Sequence, residues 1–342
     1  MIKNKNLLFL VFTFAFCIRG FGQNDKFQYD TSYVESSHET FAIRLFTSQK
    51  YTRLIQNIPD QDHPFVLKPN TGLKMGVGFS YQRLTINVSF PVGFLYPDKQ
   101  ENWPFNLDLH SHIYAPRLII DFFGQFYGGY KIDADELANA DTDYLREDMR
   151  LSSMGMNMNY LFFGDKLSLG AAFNQTAVQK RSAFSPFIGF EIYGGKIKGD
   201  SLLLPESEVP DAVNFDKAGY FQAGPNAGLA GSLVFGKGFF LTGTASANLS
   251  GGYSKWRNGE EFKKWGVVPT YYLRAFVGYN GKRFSINGNY VYKNLNLVEG
   301  EAYDQAINTG NYRVILMYKL YPRDKFKKGF NKINPLSVLF ND

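Results

Sequence analysis

Asp108, His110 and His112 stand at alternate positions and carry the side chains in this sequence best suited to chemistry. A spacing of two places all three on one face of an extended strand. Neutral His and ionised Asp are good ligands for a divalent metal such as zinc. The same groups form a His–Asp acid–base pair. Their third use is structural, as a polar network that fills or lines a barrel. Leu107, Leu109 and Ile113 occupy the opposite parity, so the polar face is the inner one. A turn at Ala115-Pro116 would set His110 across from Asp121, with Gln125 and Tyr127 continuing the inward row. Catalysis also needs a nucleophile near His110, and Ser111 points to the apolar side, where only a lipid substrate would meet it. The network is therefore the favoured use. Asp108, His110, His112, Asp121 and Gln125 are predicted to form a lumen cluster, with no metal, no cofactor and no catalytic residue. His38 and His63 have no partner at ligand spacing.

The elements that must position this cluster alternate with period two. Met75, Val77, Phe79 and Tyr81 oppose Lys74, Gly76, Gly78 and Ser80, and Leu84, Ile86, Val88 and Phe90 oppose Thr85, Asn87 and Ser89. A helix would scatter these apolar residues around its circumference, so the segment reads as a β-hairpin. The pattern returns at Met154 to Phe162, Phe239 to Ser250, Leu273 to Tyr279, Phe284 to Tyr292 and Tyr312 to Leu320. The polar parity is mostly Gly, Ser, Thr and Asn, where a soluble strand would show Lys and Glu. Small polar groups suit a lumen, and an apolar exterior suits lipid, where a midplane charge costs about 2–4 kcal/mol. Lys74, Arg83, Arg117, Arg274, Arg283, Arg313 and Lys319 fall on the inward parity. They tilt the lumen positive, through internal pairing with Asp108 and Asp121 or as an attraction for anions and acidic headgroups.

Five short turns (Gln82, Ala115-Pro116, Phe163 to Lys166, Gly236 to Gly238, Asn280 to Lys282) alternate with six longer links (51–72, 91–104, 131–149, 194–218, 251–266, 294–309) if Thr40 to Lys50 is the first strand. The expected fold is all-β: a transmembrane antiparallel up-and-down β-barrel of about 12 strands over 40–321. Residues 167–193 are then one long bent strand. If they break near Lys180-Arg181, and Ala218 to Phe235 also divides, the count is 14.

Residues 1–22 have the form of a secretory signal peptide: Lys3 and Lys5, an apolar run from Leu7 to Ile18, and the small-x-small site Gly20-Phe21-Gly22. Residues 23–39 are expected as a periplasmic N-terminal segment and 322–342 as a basic periplasmic tail. The 342 residues include 33 Gly, 33 Phe, 22 Tyr and one Cys, with a net charge of +6. Mean hydropathy is −0.25, too polar for a bundle of membrane helices. A single Cys excludes a disulfide framework. Loss of the leader removes Lys3, Lys5 and Arg19 and leaves 34 basic against 31 acidic residues, a net of +3. No basic stripe interleaves with stacking aromatics, so nucleic acid is not an expected partner. Phosphate-binding loops, triads and nucleotide fingerprints do not appear.

Three segments resemble the family catalogued as domain of unknown function number 4421: Lys68-Pro69-Asn70 followed by Gly76, Gly78 and Tyr81; Ile119 through Tyr130; and Asn174-Gln175-Thr176 through Gln179-Lys180-Arg181-Ser182. The likeness covers about residues 30–321 and implies a secreted, β-rich, outer-membrane-like protein with no assigned activity, so no functional residue carries over. The expected function is an outer-membrane barrel in a structural, transport or interaction role rather than an enzyme. Expected partners are outer-membrane lipid, the assembly machinery, and a small solute or protein. The rival readings are a lipid-modifying enzyme using His110 or His112, and a soluble periplasmic barrel.

Overall fold

The computed structural model describes residues 28–36, 40–58, 63–81, 84–92, 106–138, 140–173, 175, 177–210, 214–298, 304–324, 326–327 and 329. The signal-peptide segment, Arg83 and His38 lie outside these residues. Fifteen strands follow in chain order: β1 (Val34–Ser36), β2 (Phe41–Asn57), β3 (Phe65–Pro69), β4 (Lys74–Tyr81), β5 (Leu84–Pro91), β6 (Leu107–Ala115), β7 (Leu118–Ile132), β8 (Tyr144–Leu161), β9 (Ala177–Gln179), β10 (Ala183–Lys198), β11 (Lys217–Phe235), β12 (Phe239–Asn258), β13 (Glu260–Asn280), β14 (Phe284–Asn296) and β15 (Asp304–Leu320). One short helix, α1 (Leu169–Phe173), precedes β9.

All but β1 and β9 belong to one antiparallel sheet of 13 strands. The alternation explains it: Leu45, Phe79, Met154, Leu241, Val277 and Val314 are exposed on the outside, while Ser80, Asn157, Thr242, Asn287 and Lys319 are buried inside. β15 pairs with β2 along the whole of both strands, from Leu320↔Phe41 to Asp304↔Asn57. The sheet thereby returns on itself as an up-and-down barrel. The predicted outward rows do face outward. An Arg at Val314, in the middle of the apolar band, is expected to cost about 2–4 kcal/mol in a refolding titration, against about 0–1 kcal/mol for Val267→Arg nearer the long-loop end.

Closure is uneven around the wall. The continuous circuit has ten strands and passes from β2 to β7 through β3. β3 touches β2 at Leu54↔Leu67 and β7 at Pro69↔Tyr130, both at the long-loop end. Below it, β4 and β5 extend the sheet from β2, and β6 extends it from β7. Among the described residues no register joins β5 to β6. Asn87, Val88, Ser89 and Phe90 on one edge are all exposed, as are Leu109, His110 and Ser111 on the other. Among the described residues these two edges have no further strand partner.

Each of the twelve expected strands has a counterpart, but the closed barrel holds ten strands and not twelve, because β4, β5 and β6 lie outside the circuit and β3, carved from the 51–72 link, takes a place in it. β11 is a single strand across 217–235, as the twelve-strand count requires. Two further details differ from expectation. Residues 251–266 are no loop, because β12 and β13 run on as a hairpin to a tight turn at Gly259, φ +69°. Cross-strand Tyr253 and Trp265 (centroids 5.0 Å apart), with Lys263 over both rings, hold that hairpin together. Residues 167–193 are not a bent strand either, since only 183–198 joins the wall.

The long-loop end is filled from above. Leu203, Leu204, Val209 and Phe215, in the link between β10 and β11, are buried against inward Tyr130, Met149, Leu151 and Ile197. Asn214 closes that link by bonding Leu204 through both backbone groups, at 3.0 and 2.8 Å. Nearby, the link between β7 and β8 is fastened by Lys131, which donates to Asp143 at 2.6 Å. That bond, with the Ala134 N–H, holds the Asp143 carboxyl below its ordinary range.

Candidate functional site

The other end of the barrel is filled by the chain between β8 and β10. Residues 167–179 fold into the lumen as a plug. The Ala172 carbonyl accepts from Asn287 Nδ2 at 3.1 Å, and the Ala177 carbonyl from Asn280 Nδ2 at 3.2 Å. Ala172 packs on inward Phe240 and Phe276, and Phe173 lies beside them. Gln179 pins the base of the plug, accepting from the Ser168 N–H at 2.9 Å and donating to the Lys166 carbonyl at 2.7 Å. β1 pairs with β9 beneath it. Lumenal Asn and Ser partners explain why this stretch carries no charge: a buried backbone needs donors and acceptors, and an unpaired charge there is costly.

Between plug and cap lies a small cavity lined by Asp108, His110, His112, Asp121 and Gln125 among others. The five predicted residues therefore share one cavity, though not in the expected register. His112, not His110, faces Asp121 across the β6–β7 pair; His110 faces Phe123 and Asp108 faces Gln125. The turn sits one residue further on, at Pro116-Arg117, with Arg117 at φ +66°. Proline followed by a left-handed residue is the order a type II turn needs. The pairing shifts by two residues, so the inward parity is unchanged.

Two ion-pair groups result. Asp108 accepts from Lys50 Nζ at 2.9 Å and Tyr127 Oη at 2.6 Å, with His110 Nε2 at 2.5 Å. Asp121 meets His112 Nδ1 at 2.6 Å and Arg274 Nη2 in a close, almost fully buried bridge. Arg274 also donates to Tyr114 Oη at 3.3 Å and lies over the Tyr272 ring. Phe173 of the plug touches this second group directly, its ring 4.6 Å from that of His112.

A third group was not predicted. Glu191 on β10 is buried and accepts from Asn157 at 2.9 Å, Asn226 at 3.0 Å and the Tyr193 hydroxyl. Lys293 on β14 is buried with its ammonium over the rings of Tyr193 and Phe123. Its signal was present, since outward Tyr290 and Tyr292 put Lys293 on the inner parity. Of the predicted inward cations, Arg274 and Lys319 are buried inside, Lys319 against Asn280. Arg117 instead pairs with Asp165 at 3.0 Å beside the plug. His63 is exposed.

Among the described residues no three His or carboxylate groups converge as a metal ligand set, and neither chamber His bonds a hydroxyl or thiol. The arrangement holds charge and hydrogen-bonding capacity in an enclosed space. It defines a plugged antiparallel β-barrel with an apolar exterior and a polar internal chamber.

The chain belongs to the family described as a domain of unknown function (DUF4421), whose model matches residues 28–320. Comparison with curated proteins finds no match. Among solved structures, the beta domain of the Bordetella autotransporter BrkA is similar at 13% identity and a TM-score of 0.32, over 79% of this chain and 98% of that one. An outer-membrane channel from Pseudomonas putida F1 is similar at 8% identity and a TM-score of 0.29, over 85% and 99%. The Pseudomonas putida toluene transporter TodX gives 8% identity and a TM-score of 0.23, over 81% and 89%.

Proposed function

We propose that this protein is an outer-membrane barrel of the transport class that binds a solute in an internal chamber and does not act as an open diffusion pore. The observation that carries the reading is the filling of both ends: Ala172 and Phe173 of the plug against Phe240 and Phe276 at one, Leu203 and Phe215 against Tyr130 and Met149 at the other. Support for the membrane comes from the apolar outer rows and the lumenal polar rows. In lipid a spanning chain must satisfy its backbone internally, which a barrel does. Residues 1–22 would carry the chain across the inner membrane and be removed. Outer-membrane lipid and the assembly machinery are the partners this route requires, with the last strand, β15, supplying the assembly signal. The test is conductance of the purified full-length protein in a planar bilayer. The expected trace is flat at moderate voltage, and regular open-channel steps would overturn the reading.

A further inference from the structure

We propose that the outer wall of the barrel carries a binding surface for phosphate-bearing lipid of the outer leaflet, laid across β8, β10, β11, β12 and β13 where the apolar band ends. The inference rests on the membrane reading and adds to it a lipid class and a place on the wall.

The cross-strand registers set the outward residues of these five strands in rows. Met154, Gly194, Phe221, Tyr253 and Trp265 form the row that closes the apolar band toward the long loops. From the short-turn end up to that row, the outward residues of all five strands carry no charge. The next row is Ser152, Lys196, Gly219, Lys255 and Lys263, and the one beyond it is Arg150, Lys198, Lys217, Arg257 and Glu261. On each of the five strands the first outward charge is therefore a cation. β14, β15 and β2 differ. The outward row of β14 is uncharged as far as Asn296, the first outward charge on β15 is Asp304, and the outward row of β2 holds only Arg53.

This crowding works against the fold. Arg150 stands directly opposite Lys198, Lys198 opposite Lys217, Lys217 opposite Arg257, and Lys255 opposite Lys263. Like charges at directly opposed positions destabilise a sheet. Asp216 pairs with Arg257 and also attracts Lys217, while Glu261 bonds Lys255 at 3.3 Å. Asp148 is committed to Arg146. Among the described residues these pairings leave the two rows strongly positive. The rows are also held down at the wall. Lys263 Nζ lies 4.2 Å from the centre of the Tyr253 ring and 4.8 Å from that of Trp265. The Lys255 stem runs over Gly219, where a Cβ would come within 3.3 Å of it.

The position of the charge selects a lipid over a soluble polyanion. Long loops of such barrels face outward, and aromatic girdles mark the headgroup level. The exposed carboxylates Glu147, Asp200, Glu206 and Glu260 stand further out than the basic rows. A polyanion arriving from solution would meet those first, whereas a phosphate fixed to a lipid lies beneath them, beside Lys196 and Lys263. Lysine binds phosphate as a point charge. Each cation near an anionic surface strengthens attachment about fivefold.

The test uses full-length protein in phosphatidylcholine vesicles that contain a minor share of brominated lipid, either phosphatidic acid or phosphatidylcholine. With Trp103 and Trp256 replaced by Phe, Trp265 is the reporter. In a second protein Trp265→Phe is added and Tyr312→Trp reports from the exposed face of β15. Brominated phosphatidic acid is expected to quench Trp265 as if enriched at least threefold over brominated phosphatidylcholine, and to show no enrichment at the β15 reporter. Gln at Lys196, Lys217 and Lys263 together should abolish the enrichment, and Arg at the same three positions should keep it. Inorganic phosphate, against chloride at matched ionic strength, should leave it unchanged. Absence of enrichment at Trp265, equal enrichment at both reporters, persistence in a Gln variant that still migrates as a folded barrel, or loss to inorganic phosphate would each overturn the proposal. If brominated phosphatidylcholine quenches both reporters, any of these sinks this inference alone. If it quenches neither, the protein is not in the bilayer, and the membrane reading falls with the inference.

Discussion

Replacing residues 167–179 with a short Gly-Ser linker is expected to turn an electrically silent barrel into one with discrete conductance steps. The wall should survive the excision. β8 and β10 pair through Leu161↔Phe187 and onward to Arg150↔Lys198 without help from the plug, and closure by β15 and β2 lies elsewhere. Removal strips the Ala172 and Ala177 carbonyls from Asn287 and Asn280 and bares Phe240 and Phe276. In a packed soluble core such orphaned amides would cost about 1–3 kcal/mol each. Here water enters the space left and replaces the lost partners, so the loss of stability should be small beside the gain in permeability. A narrower change tests the same contact. Phe173→Ala, which removes the ring against His112, Tyr114 and Phe276, should give brief, infrequent openings while leaving the plug anchored at Gln179. If the excised protein folds, as judged by its heat-modifiable migration, and stays silent, the cap and not the plug is the barrier. Excision of 201–209 then becomes the decisive variant.

The plug is also where the sequence was hardest to read. A stretch with no charge looked like one more wall strand, because lumen and wall share a demand for uncharged residues. What separates them is period: Leu169, Gly170, Ala171 and Ala172 are consecutive buried residues, whereas a wall strand alternates. The alternation did reveal β4, β8, β12, β13, β14 and β15 and which way their rows face, since lipid on one side and packed polar groups on the other impose period two directly. It could not reveal where the membrane ends. Tyr253, Trp265 and their neighbours keep the same period beyond the apolar band, so strands that continue there read as links. Register was likewise out of reach. The row containing Asp108, His110 and His112 was legible from parity, but its partner depended on whether the turn began at Ala115 or Pro116, a matter of one residue's backbone conformation. β3, which bridges β2 and β7 at the long-loop end, was not legible either. Phe65 to Pro69 is too short a run to stand out inside its link.

Asp121→Ala is expected to be the most destabilising single substitution in the chamber, by about 3–5 kcal/mol, because it leaves the Arg274 guanidinium buried without its carboxylate. Both side chains are almost wholly enclosed, at 6% and 4% of their free exposure. The surrounding groups offer no substitute anion: Asp108 is committed to Lys50 and His110, and Glu191 to two amides and a hydroxyl. Removing both charges should behave differently. Asp121→Leu with Arg274→Met takes away two desolvated ions together and replaces them with hydrocarbon, an exchange that is often neutral or stabilising in buried pairs. Some loss remains, since Tyr114 and His112 each lose a partner, at about 1 kcal/mol per hydrogen bond. The double variant should therefore recover at least half of what the single one loses, read as the denaturant midpoint for unfolding in detergent. Equal destabilisation in the two would mean that shape, not charge balance, holds this wall of the chamber.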